Sequence, residues 1–169
     1  ERKLNWRHVK KEIEPELAEL IGLDPSWPVK AYELVQFDLD EEQGLCLLNY
    51  TKGAHNVLHD IDSGGGWTPV MRQLSGLLYT YGDPGDLDQI RLVSCGFEKF
   101  FNRGEVFETR DENLPMDSPA LIRSKEDGAM VEYFEHRGRT SATTRGRINT
   151  LYVAPSVELF GSTALPAAK

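Results

Sequence analysis

The sequence predicts an α+β domain with mostly antiparallel sheets and a few helices outside them. Three observations carry this reading. Short runs of strand-like character recur along the chain, and several of them alternate apolar and polar side chains. One helical apolar stripe stands near the start. The 169 residues include 15 glycines and 9 prolines, so connections are many and elements short. A chain of this length can bury one core. At 40% hydrophobic and 27% charged it is globular in composition.

The elements follow in order. Val9, Ile13, Leu17, Leu20 and Ile21 share one stripe, which predicts a helix over residues 6–22. Pro15 breaks or restarts it, and Gly22 stops it. Residues 24–28 (Asp-Pro-Ser-Trp-Pro) form a loop. Alternation over 32–39 predicts a strand, and Gly44 precedes a second over 45–50. The glycine run 63–66 is a loop without the Gly-Lys-Ser/Thr of a phosphate-binding P-loop. Thr68-Pro69 suits a helix start. Strands are expected over 74–81 and 89–97, joined by a turn at 83–86. A polar stretch then leads to strands over 120–124, 129–134 and 139–144, the last two joined by a hairpin turn at His136-Arg137-Gly138.

The formal charge of −8 argues by itself against nucleic acid. Its distribution argues otherwise. Residues 1–119 carry a balance of −10, whereas residues 120–149 carry six basic and four acidic side chains, a balance of +2. That short basic stretch suits a few phosphates better than a long duplex. Cys46 and Cys95 have no metal-type spacing and suggest a reducing, cytoplasmic setting without a disulfide framework. No apolar run has the roughly 18 residues of a membrane span, and Glu1-Arg2-Lys3 does not open a signal peptide. The absence of an initial Met, and an end just after strand-like sequence, read as a piece of a longer protein.

The chemistry-bearing residues cluster in the second half. Lys125-Glu126-Asp127-Gly128 is a turn that can hold one amine against a phosphate. A free lysine amine has a pKa of about 10.4, so a nucleophilic one needs burial or neighbouring cations. Flanking apolar strands would supply the burial, and Arg123, Lys99 and Arg145 the cationic field. Asp127 would orient the turn, and Gly128 would let the backbone approach a nucleoside. Upstream, Lys99-Phe100-Phe101-Asn102 offers a second amine, read as a phosphate contact that does not serve the core. Arg145 and Arg147 flank Gly146, and their forks suit phosphate. His55 and His59 have the i, i+4 spacing of helical metal ligands. No third ligand of the right type stands near them in sequence, so no metal site is assigned.

Taken together, Glu98-Lys99-Phe100-Phe101-Asn102, Lys125-Glu126-Asp127-Gly128 and Thr143-Thr144-Arg145-Gly146-Arg147 resemble the nucleotidyltransferase domain of polynucleotide ligases, most closely the phage-type RNA ligase 1 family. The similarity spans residues 28–150. The resemblance implies the covalent nucleotidyltransferase fold and ATP-dependent joining of RNA 5′-phosphate and 3′-hydroxyl ends, with Mg2+ assisting. It implies that Lys125 takes AMP as a covalent adduct, with Asp127 beside it in the catalytic turn. It assigns Lys99, Glu126, Gly128 and Arg145 to nucleotide binding. tRNA repair or splicing is a setting that such a domain serves. DNA ligases and capping-type enzymes use the same lysine, and a binding-only relative would keep the fold without the reaction.

One position departs. The family's arginine before the glycine of an early strand is Ser75 here, with Arg72 three residues before it. The family's later motifs would lie beyond Lys169. Residues 1–169 are therefore expected to be the N-terminal portion of the domain, inactive in isolation.

Overall fold

The computed structural model describes residues 14–23, 26, 29–59, 66–81 and 90–148. The first part of the helix expected over 6–22, up to residue 13, most of the loop at 24–28, most of the glycine run and the turn at 83–86 lie outside these residues.

Helix α1 (Glu14–Ile21) carries Pro15 in its first turn, where a missing N–H costs nothing. Gly22 ends it at φ +68°, with Leu23 N–H bonded to Ala18 O and Gly22 N–H to Glu19 O. Leu17 and Ile21 face inward.

The next element corrects the sequence expectation. Residues 31–34 are not strand but a single helical turn, α2 (Ala31–Leu34), and strand β1 begins only at Val35 (Val35–Asp40). The cause is long-range. The Glu14 carboxylate accepts from Ala31 N–H at 2.8 Å and Tyr32 N–H at 3.0 Å, so α1 caps α2. Local alternation holds no trace of that contact.

Strand β2 (Leu45–Tyr50) pairs antiparallel with β1 from Val35↔Tyr50 to Asp40↔Leu45. Helix α3 (Lys52–Leu58) follows at once, N-capped by the Thr51 hydroxyl. Helix α4 (Pro69–Gln73) starts as expected, with Thr68 as N-cap. Strands β3 (Ser75–Thr80) and β4 (Arg91–Cys95) complete a four-stranded antiparallel sheet in the order β1-β2-β3-β4. Two 3-10 turns, Phe107–Thr109 and Asp111–Asn113, fill the polar stretch. Strands β5 (Val131–His136) and β6 (Arg139–Thr144) form a separate hairpin. Its two turn residues, Arg137 at φ 52° and Gly138 at φ 72°, both lie in the left-handed region that two-residue hairpin turns favour.

The four-stranded sheet is covered on both faces. Tyr50 faces the helices, within a core of Leu17, Ile21, Leu34, Leu58, Trp67, Met71 and Leu74. Leu45 and Leu47, with the opposite parity, face the hairpin with Leu78, Phe134 and Ile148. Polar contacts fix the hairpin in place. Asp38 accepts from Arg147 Nη1 at 3.0 Å and from Ile148 N–H at 2.7 Å, and His136 Nε2 lies 3.0 Å from Gln43 O. Arg147 and His136 thus tie the hairpin to the sheet, although the sequence suggests a phosphate fork for Arg147.

Both cysteines are unpaired thiols, and burial pushes that of Cys46 up to about 11. Among the described residues no helix is long and apolar enough to cross a membrane.

Candidate functional site

Three separate stretches of chain converge on one cleft of about 900 Å3. The segment after β4 contributes Lys99 and Asn102. The turn before β5 contributes Lys125, Glu126, Asp127 and Gly128. The end of β6 contributes Arg145 and Gly146. The six residues that the resemblance assigns to the site, Lys99, Lys125, Glu126, Asp127, Gly128 and Arg145, therefore line a common space, as do Tyr50, His55, Ser75 and Glu105.

Their surroundings differ. Residues 119–130 form no strand, contrary to expectation. The strand expected over 120–124 includes the apolar run Ala120-Leu121-Ile122. Leu121 and Ile122 are 77% and 91% exposed and make no ladder among the described residues. Lys125 is accordingly not walled in by apolar strands. Its side chain is 68% exposed, and its Nζ lies 3.7 Å from Asp127 Oδ1. Gly128 adopts φ +155°, which side chains rarely do, although a Cβ there would meet nothing within 4 Å. Arg123 is exposed and is not part of the cleft lining.

Lys99 is more enclosed. Its side chain is 12% exposed, and its Nζ stands 4.7 Å from the Phe101 ring centroid and 5.7 Å from that of Trp67. The same Nζ donates to Phe100 O at 3.0 Å and lies 3.8 Å from Glu105 Oε1. The lysine thus rests its stem on the core edge and turns its charge to the cleft. Phe101 joins the helix-side core, whereas Phe100 is 62% exposed.

Arg145 turns its guanidinium onto Tyr50. Arg72 does not fill the place of the family arginine. Its Nε donates to Trp67 O and its Nη2 to Glu108 at 2.6 Å, away from the cleft. Ser75 is buried at the cleft wall.

The sequence gives no hint of Glu105. Its carboxylate lies 2.8 Å from His59 Nε2 and 3.6 Å from His55 Nε2, and it accepts from Asn102 N–H. Burial alone would raise its pKa. The Asn102, His59 and Lys99 contacts outweigh burial and hold it below the usual range. Burial lowers the His55 pKa, with His59 and Lys99 adding to the effect. The two histidines lie 46 and 50 positions before Glu105, so only folding supplies the third ligand.

Comparison of the chain with protein-family models, with curated proteins and with solved structures found no match in any of the three.

Proposed function

We propose that this protein is an ATP-dependent RNA ligase that joins 5′-phosphate and 3′-hydroxyl ends through a covalent lysyl-AMP intermediate on Lys125, on a ligase-type nucleotidyltransferase fold. The observation that supports this most is the convergence of Lys99, Lys125 and Arg145 on one cleft from positions far apart in sequence. The open space of about 900 Å3 suits a nucleoside triphosphate in size, and because Glu98, Glu105, Glu126 and Asp127 line it beside the three cations, magnesium would have to offset their charge against the phosphates.

The chemistry would run as follows. Lys125 Nζ, having lost a proton, attacks the α-phosphorus of ATP. A P–N bond forms, the bond to the β-phosphate oxygen breaks, and pyrophosphate leaves. The adenylyl group then passes to an RNA 5′-phosphate, and a 3′-hydroxyl displaces AMP. Lys99 and Arg145 would neutralise charge on the phosphates, which is most of what such transfers require of a protein. Glu126, Asp127 and Gly128 would shape the nucleotide side of the cleft. Mg2+, bound with the phosphates, would supply further charge neutralisation.

Labelling tests this. Incubation of the full-length gene product with α-labelled ATP and magnesium should label it in an acid-labile way, and Lys125→Ala should abolish the label. Equal labelling of wild type and Lys125→Ala would overturn the reading. Labelling with GTP in place of ATP would favour a capping-type enzyme using the same lysine. A second reading, a non-catalytic nucleic-acid-binding relative, is favoured by Ser75 at the arginine position and by the exposure of Lys125. It predicts RNA binding without any adduct.

A further inference from the structure

We propose that His55, His59 and Glu105 form a binding site for a divalent transition-metal ion of the zinc class, open on one side to the cleft. The site does not depend on the ligase reading.

The donor set is the first argument. Two imidazoles and one carboxylate are a common set for zinc and for related ions that keep an open position. One ligand atom from each residue lies within 4.8 Å of the others. Zinc bonds of about 2.1 Å at tetrahedral angles put neighbouring ligand atoms about 3.4 Å apart. The His59–Glu105 and His55–Glu105 separations of 2.8 and 3.6 Å bracket that value.

The second argument is the orientation of His59. Its Nδ1 is held by two neighbours: it lies 2.6 Å from His55 O, and the Trp67 indole N–H points to it at 3.2 Å, with the indole ring packed edge-on against the imidazole. That leaves Nε2 aimed at the Glu105 carboxylate at 2.8 Å, where a metal ion can take the place of a shared proton. A ring fixed through one nitrogen and presenting the other beside a carboxylate is the usual arrangement of a metal-ligating histidine.

The third argument is access. The His55 side chain is 43% exposed, and His55 and Glu105 line the cleft. The remaining coordination position therefore faces solvent, where water or an anionic oxygen can occupy it.

The test uses metal alone, without ATP or RNA. Zn2+ titrated into metal-stripped protein should bind at one equivalent by calorimetry. Co2+ should give the visible bands of a low-symmetry, four-coordinate site. Glu105→Gln, which preserves shape, and His55→Ala, at a partly exposed position, should each weaken binding by roughly tenfold or more. Lys125→Ala should leave it unchanged, which separates this site from the adenylation chemistry. Two results would overturn the proposal. One is stoichiometric binding that both variants leave intact. The other is no binding, with nitrogen NMR showing His59 protonated on both ring nitrogens and insensitive to Zn2+, a plain ion pair with Glu105.

Discussion

Arg145 and Tyr50, 95 residues apart, meet at the cleft wall. Arg145 Nη1 donates to the Tyr50 hydroxyl at 2.7 Å, and its guanidinium carbon lies 4.8 Å from the ring centroid. The pair joins the end of β6 to the end of β2 and so ties the hairpin to the four-stranded sheet. Burial raises the Tyr50 pKa, against the lowering influence of Arg145, so the phenol remains a neutral acceptor for the arginine.

Removing the hydroxyl should separate the two roles of Arg145. Tyr50→Phe keeps the ring and should cost about 1.5 kcal/mol of stability, the lower end of the scale for a hydrogen bond to a charged group. A double-mutant cycle with Arg145→Ala, followed by urea denaturation, should show coupling of at least roughly 0.5 kcal/mol. Additive losses would mean that the contact contributes nothing to stability.

Lys99 should matter for stability as well as charge. The sequence suggests that Lys99→Ala leaves the melting temperature unchanged, but the enclosure of its stem by Phe101 and Trp67 argues for a loss of about 1 kcal/mol. Lys99→Met should recover most of that loss, because it restores the packing without the charge. Nucleotide labelling should fall in both variants. Thermal unfolding of the two, measured together with labelling, checks the separation.

Glu132 is a costly carboxylate. Its Oε1 accepts from Ser94, but its buried Oε2 has no hydrogen-bond partner among the described residues. Burial raises its pKa above the ordinary 4.5, against the lowering effect of Ser94. A carboxyl raised in this way favours the folded state when protonated. That contribution is complete below about pH 4.5 and is lost as pH rises through the raised value. Glu132→Gln should therefore stabilise the protein at pH 7 by up to about 1 kcal/mol, with the gain shrinking toward pH 4. Denaturant midpoints at the two pH values measure it, and a gain larger at pH 4 would contradict the sign.

Gly96 has no room for a side chain. A Cβ there would stand 2.5 Å from Ser75 O, a backbone atom that cannot turn aside. Gly96→Ala should cost roughly 2 kcal/mol or more by pushing the end of β4 away from β3. Gly138→Ala meets nothing within 4 Å and should cost less, through its positive φ alone. Equal losses would show that crowding at Gly96 is relieved.

The sequence by itself determined the features that depend on neighbours along the chain. Alternation and turn residues were enough for β2, for the hairpin from Val131 to Thr144 and for the start of α4 at Thr68-Pro69, because pleat, left-handed turn and N-cap are local. The motif residues Lys99, Lys125 and Arg145 were legible in the same way, as charged residues in unusual short contexts. Tertiary structure alone decided what depends on partners far away. A carboxylate 17 positions upstream made residues 31–34 helical. The run at 120–122 found no neighbouring strand among the described residues, and Leu121 and Ile122 stayed exposed. Glu105 reached His55 and His59 only because the segment after β4 folds back over α3. Hydrogen bonds, burial and shared ligands are set by distance in space, and sequence spacing records that distance only within an element.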